Sequence, residues 1–234
     1  MASILFFLSG LAVIAAWWLS RQGLMSKPWL EAGTTDDLPD TENSRATPSK
    51  IGLGVFLAVV GSFFALFISA YSMRMQLPDW RNVPVPTILW LNTFMLVLGS
   101  LALQRGKSSA RRRDMHELRV DLLAAGVSTL AFLSGQLLAW QQLAEEGYRL
   151  TGNPANAFFY VVTGAHGLHI LGGLVALGRT SERAWRQQDS EPLRQSVELC
   201  AMYWHFLLLV WLVFLGILTG WGGAFIDICR QLLT

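Results

Sequence analysis

Phe158-Phe-Tyr-Val-Val-Thr-Gly-Ala-His166-Gly-Leu-His169-Ile-Leu-Gly-Gly-Leu-Val-Ala-Leu177 is long enough and apolar enough to cross a bilayer. It contains no Asp, Glu, Lys or Arg, yet it holds two histidines three residues apart. A group that can charge is costly at membrane depth, so an intramembrane histidine points to a partner across a helix interface. The rest of the chain has to supply that partner.

Working outward, five more stretches satisfy the same length requirement of about 20 residues. The full set is Ser3 to Leu19, Ile51 to Met73, Thr87 to Leu103, Val120 to Trp140, Ala157 to Gly178 and Val197 to Trp221. Composition agrees: of 234 residues 53% are hydrophobic and only 15% charged, with ten Trp and thirteen Phe. The predicted fold is an all-α, polytopic transmembrane bundle of six helices. Its organisation reads as an N-terminal helix over 1–20, a polar acidic loop over 21–50, a five-helix core over 51–222 and a short tail over 223–234. Between Glu31 and Lys50 the chain is rich in Asp, Glu, Thr, Ser and Pro and lacks an apolar period, as a solvated loop does.

A net charge of +2 gives no reason to expect nucleic acid, and the basic residues are informative about topology instead. Arg21, Lys27, Arg45 and Lys50 follow the first span, Arg105, Lys107, Arg111, Arg112 and Arg113 the third, and Arg179, Arg183, Arg186 and Arg194 the fifth. The second and fourth are followed only by Arg74 and Arg81, and by Arg149. Positive charge alternates with loop parity, which places the basic loops in the cytoplasm and both termini outside it. The first span reads as a retained helix and not a signal peptide. Nothing basic precedes it, and Trp17 and Trp18 occupy the place of small cleavage-site residues. Cys200 and Cys229 lack the spacing of a redox pair or zinc site.

The polar groups inside the spans are few. His166 and His169, at i and i+3, face roughly one side of their helix. They could form a metal or haem ligand pair, but a metal site calls for about three or four donors, and the other spans offer little beyond His205 and Glu198. A polar seam bonded to neighbouring helices or to lipid is therefore the first reading. Glu198 and His205 lie seven residues apart, near one face of the last span. A carboxylate there is expected to face the bundle interior and pair with a polar group on another helix. Trp204, Trp211 and Trp221 suit packing and interface anchoring. Gly164, Gly167, Gly172 and Gly173 around the histidines suit close helix approach, and Asn92, Thr93 and Gln136 suit interhelical hydrogen bonding.

Taken together, Phe158-Phe-Tyr-Val-Val-Thr-Gly-Ala-His166-Gly-Leu-His169, Glu198, Tyr203-Trp-His-Phe206 and Val210-Trp211 resemble the signature stretches of cytochrome c oxidase subunit III. Leu89-Trp-Leu-Asn-Thr93, Gln104 and Gly135-Gln136 resemble bacterial members, and Lys27-Pro-Trp-Leu-Glu31 resembles proteobacterial ones. The resemblance runs in order from Ile51 to Trp221 and leaves two departures. Val60 stands where many members carry a glutamate, and Leu208 where an aspartate follows the Tyr-Trp-His-Phe phrase. The full family has seven spans; this chain keeps the last five, and its own first helix matches neither missing one.

The resemblance implies a subunit without haem or copper of its own, those cofactors belonging to partner subunits. It implies partnership with the catalytic subunit I and with subunit II of a proton-pumping oxidase in the bacterial inner membrane. The complex would take electrons from cytochrome c and reduce oxygen to water. The subunit's expected part is to stabilise the catalytic core, support proton uptake and hold phospholipid. His166, His169, Glu198, His205 and Trp204 are the candidates for lipid binding or interhelical polar contacts, and no catalytic or metal residue is expected. Subunit III of a quinol oxidase and an accessory subunit of nitric oxide reductase would share these signatures. A proton-coupled transporter would call for inverted repeats and helices broken at the midplane, which the sequence does not display.

Overall fold

The computed structural model describes residues 48–81, 83–186 and 190–220. The N-terminal apolar span, nearly all of the acidic loop, Trp221, Cys229 and the tail lie outside the described residues. Among those described there are five helices and no strand. They are α1 (Pro48–Arg74), α2 (Ile88–Arg111), α3 (Met115–Glu145), α4 (Pro154–Arg186) and α5 (Glu191–Leu218), and each is long and apolar enough to cross a membrane.

All five helices run past the apolar windows that announce them. Their ends are held by polar groups that hydropathy does not register. Asp114 caps α3, its Oδ1 accepting from the backbone N–H groups of His116 and Glu117 at 3.1 Å each. Asn153 does the same for α4, its Oδ1 accepting from Ala155 N–H at 3.3 Å. Arg119 stands over the Trp185 ring at 5.2 Å and donates from Nε to the Ala184 carbonyl at 3.0 Å. The last turn of α4 is thereby fastened to the start of α3. Past α1, Arg74 grips Asp79 through both guanidinium nitrogens, and that hydrogen bond holds the Asp79 carboxyl below its usual range.

The chain divides into two units between Ser62 and Phe63, within α1. The described part of the first unit is helix alone, with Val55, Phe56 and Val59 exposed. In the second unit α2 packs on α3, α3 on α4, α4 on α5 and α5 on α2, a closed ring of four helices. Connections of a few residues make sequence neighbours antiparallel in such a ring.

Each helix of this ring carries, among its buried residues, one run of positions that follows a single rule. On α3 they fall at 118, 122, 125, 129, 132, 136, 139 and 143, and on α5 at 193, 197, 200, 204, 207, 211 and 214. On α4 they run 159, 163, 166, 170, 173, 177, 180 and 184, and on α2 92, 96, 99, 103, 106 and 110. Steps of three and four alternate throughout, the 3.5-residue period of knobs-into-holes packing. What fills the seam differs from a soluble coiled coil. Among its buried Leu, Phe and Trp it holds Asn92, Gly99, Gly106, Thr129, Gln136, Thr163, His166, Gly173 and Thr180. Small seam residues bring backbones close, the source of adhesion where lipid removes the hydrophobic drive.

Gly173 is the tightest case on α4. A Cβ there would stand 2.6 Å from Cε1 of Tyr203 and 3.0 Å from Cζ3 of Trp204 on α5. Beside Gly172 nothing lies within 4 Å. Gly173→Ala is therefore expected to lower stability in detergent by roughly 1–3 kcal/mol through overpacking. Gly172→Ala should leave the thermal midpoint unchanged or slightly raised. Equal midpoints for the two variants would contradict this packing.

Candidate functional site

The polar groups of the ring gather into one repeated arrangement. Trp211 donates its indole N–H to Thr93 Oγ1 at 2.9 Å, joining α5 to α2. Trp204 donates to Thr129 Oγ1 at 3.2 Å, joining α5 to α3. Trp140 donates to Thr163 Oγ1 at 3.1 Å, joining α3 to α4. Each threonine passes its own proton to the carbonyl four residues back: Thr93 to Leu89 at 2.7 Å, Thr129 to Ala125 at 2.7 Å, Thr163 to Phe159 at 2.6 Å. A hydroxyl whose proton is committed to its own helix presents lone pairs to a neighbour, and indole N–H is a donor only. The two side chains therefore fit each other and leave neither polar atom in hydrocarbon.

His166 sits at the centre of the ring with none of its surface exposed. Its imidazole stacks on Trp211 with centroids 5.3 Å apart, and Phe132 and Phe64 meet its ring at 5.9 Å and 6.3 Å. Neither ring nitrogen has a hydrogen-bond partner among the described residues. His169, one turn on, is half-buried and donates from Nδ1 to the Ala165 carbonyl at 2.8 Å. Its own backbone carbonyl accepts from Tyr203 O–H at 2.8 Å, a tie from α5 to α4. Phe64, at 5.2 Å from His169, touches both histidines. The two imidazoles thus share a neighbour, as their spacing suggests, yet their polar contacts differ.

Glu198 lies near the other end of the ring. Its Oε1 is 3.0 Å from Lys107 Nζ and 3.7 Å from Arg111 Nη2, so one half-buried carboxylate joins α5 to two cations of α2. The expected interhelical partner of Glu198 is there, supplied by residues that the sequence assigns to a loop. Trp204 is fully buried, whereas His205 is exposed and turns its Nδ1 to the Ala201 carbonyl. Asn92 donates to Gln136 Oε1 at 3.4 Å across the α2–α3 contact and packs against Gly135, where a Cβ would strike its Oδ1. Among the described residues no three His, Cys, Asp or Glu side chains stand close enough to share a metal ion.

Sequence reasoning singled out both histidines, Glu198 and Trp204. It assigned Asn92, Thr93 and Gln136 to helix contacts, and missed Thr129, Thr163, Lys107, Arg111 and Arg119. Thr129 and Thr163 do fall on the three-and-four run of buried positions of their own helices.

With this geometry in view, comparison with known proteins is direct. The profile described as cytochrome c oxidase subunit III matches residues 50–223. The chain belongs to the cytochrome c oxidase subunit III family. Among its relatives is the probable cytochrome c oxidase subunit 3 of Mycobacterium tuberculosis, 29% identical over 174 residues, covering 72% of this chain and 86% of the relative. Cytochrome c oxidase subunit 3 of Synechocystis is 28% identical over 213 residues, with 82% and 87% covered. That of Thermostichus vulcanus is 29% identical over 176 residues, with 72% and 85% covered. Membership makes the protein a multi-pass membrane component of an oxidoreductase complex that associates with other oxidase subunits. Val60 is buried on α1 and Leu208 is half-buried on α5.

Replacing Glu198 tests the ion triplet. Glu198→Gln removes the carboxylate from between two cations and is expected to cost about 1–2 kcal/mol, a value held down by partial exposure. Glu191→Gln, at an exposed carboxylate 3.5 Å from Arg194, should have a smaller effect on the thermal midpoint. A Glu198→Gln midpoint equal to that of the unaltered protein would contradict an anchoring role.

Proposed function

We propose that this chain is subunit III of a proton-pumping haem-copper terminal oxidase of the aerobic respiratory chain, in a bacterial inner membrane with both termini periplasmic. Beside subunits I and II, which hold the haem and copper, it stabilises the catalytic core, supports proton uptake and retains phospholipid. The complex takes electrons from cytochrome c and reduces oxygen to water. The observation that carries this reading is the match to the family over residues 50–223, which takes in four of the described helices whole and all but the first two residues of α1.

Two parts of the role, bracing and lipid retention, have support in the fold. A ring closed by Trp-to-Thr bonds and by the Glu198 triplet is a rigid body, suited to bracing a neighbour. Arg179, Arg183 and Arg186 rise at i, i+4 and i+7 on the last turns of α4 and line an open recess with Glu182. Trp185, 55% exposed, stands beside them. Guanidinium groups and an interfacial tryptophan at a helix end suit an anionic headgroup. Because His166 and Trp204 have no exposed surface, they support the interhelical reading for those two residues over direct headgroup contact.

Purification of the tagged chain in mild detergent tests the proposal. The co-purified material should show haem bands in the reduced-minus-oxidised spectrum and cyanide-sensitive oxygen uptake with reduced cytochrome c. A haem-free preparation without oxygen uptake would contradict it.

A further inference from the structure

Asn92, Gln136, His166 and Trp211, one from each helix of the ring, share a level inside the bundle. Asn92 donates to Gln136 Oε1 at 3.4 Å, and its neighbour Thr93 accepts from Trp211, whose indole stacks on His166. The contact between α3 and α4 gives the same register. Phe132 of α3 meets His166, and Trp140 of α3 donates to Thr163. Gln136 lies one turn from each of those α3 residues, so it comes opposite the turn of α4 between Thr163 and His166. All four side chains are buried: 2% of Asn92, 4% of Gln136, 1% of Trp211 and none of His166 is exposed.

Donors and acceptors in this layer do not balance. Trp211 and Thr93 satisfy each other, and the Gln136 oxygen is taken by Asn92. The Gln136 amide nitrogen, a donor only, has no acceptor among the described residues, and neither ring nitrogen of His166 has a partner there. An imidazole enclosed by Trp211, Phe132 and Phe64 is neutral, with one N–H and one bare nitrogen that accepts. A donor without an acceptor thus lies level with an acceptor without a donor, on facing helices. Leaving both unmet inside the bundle is costly. Thr163 and Thr129 escape that cost by bonding their own helix, a route that neither Gln136 Nε2 nor the His166 ring takes. A buried water, which both accepts and donates, meets such a pair. The two helices are not pressed tight here: a Cβ at Gly167, beside His166, would stand 4.0 Å from Leu133 Cδ2 of α3.

We propose that the ring encloses an ordered water that accepts from Gln136 Nε2–H and donates to the bare nitrogen of His166. The water bridges α3 to α4 one turn from the Trp140–Thr163 bond. It completes a circuit of the four helices at one level: Asn92 to Gln136, through the water to His166, by stacking to Trp211, and back to α2 at Thr93.

Electron cryo-microscopy of the complex purified through this chain reads the site directly, at a resolution that shows ordered waters elsewhere in the protein. A peak should stand about 2.7–3.2 Å from both Gln136 Nε2 and one His166 nitrogen. Ordered side chains with no peak between them, or a direct bond from Gln136 to His166, overturn the proposal. Two variants of similar shape add an energetic readout. Gln136→Met and His166→Phe each remove one arm of the bridge and strand the other, whereas the double variant removes both. The folded-to-unfolded ratio of the double variant in mixed micelles should exceed the value expected from the two single effects by roughly three- to tenfold. Strict additivity also overturns the proposal.

Discussion

The hydrogen bond from tryptophan to threonine is the interaction on which the four-helix ring depends. In water, apolar seams would hold such helices together, but in a bilayer the lipid tails are as apolar as leucine and that drive vanishes. Close packing and polar contacts must do the work. An indole N–H placed in hydrocarbon is a liability until it meets an acceptor, and a threonine whose proton already serves its own helix is an acceptor without competing demands. Trp204, Trp211 and Trp140 each meet such a threonine, and the three pairs touch all four helices of the ring.

Around these pairs the heptad seam arranges everything else. Gly173 lets Tyr203 and Trp204 approach α4, which brings the Trp204 indole over Thr129 on α3. His166 fits between Trp211 and Phe132 as a flat, neutral-sized plate, so the imidazole is part of the packing on which the Trp211–Thr93 bond rests. At one end the Glu198 triplet fixes α5 against α2, and Arg119 fixes α4 against α3. Polar closure at that end and close packing at the centre make one body of four helices.

Much of this was legible in the sequence, for a physical reason. Length and hydropathy suffice to locate spans, because the bilayer imposes a fixed length and admits few charges. Five of the six expected spans fall within described residues, and each corresponds to a helix. The ends were not legible in the same way. Lys107 and Arg111 look like loop residues until Glu198 is seen to pair with them, and α2 therefore runs past Leu103 to Arg111. Inside and outside were also hard to separate, since both faces of Leu96, Leu98 and Leu101 on α2 are equally greasy while only Leu96 is buried. The seam shows instead through its polar and small members. Glu198 was recognised as needing a partner because a carboxylate stands out in an apolar run; Thr129 and Thr163 escaped notice because a threonine does not.

A double-mutant cycle on Trp211 and Thr93 measures the central interaction most directly. Trp211→Phe removes the donor, Thr93→Val the acceptor, and the combined variant both, with stability read from reversible unfolding in mixed micelles. The account predicts a coupling of about 0.6–1.7 kcal/mol, the range of interhelical hydrogen bonds in membranes. Strict additivity of the two single variants would show that the helices hold together without this bond and would contradict the account.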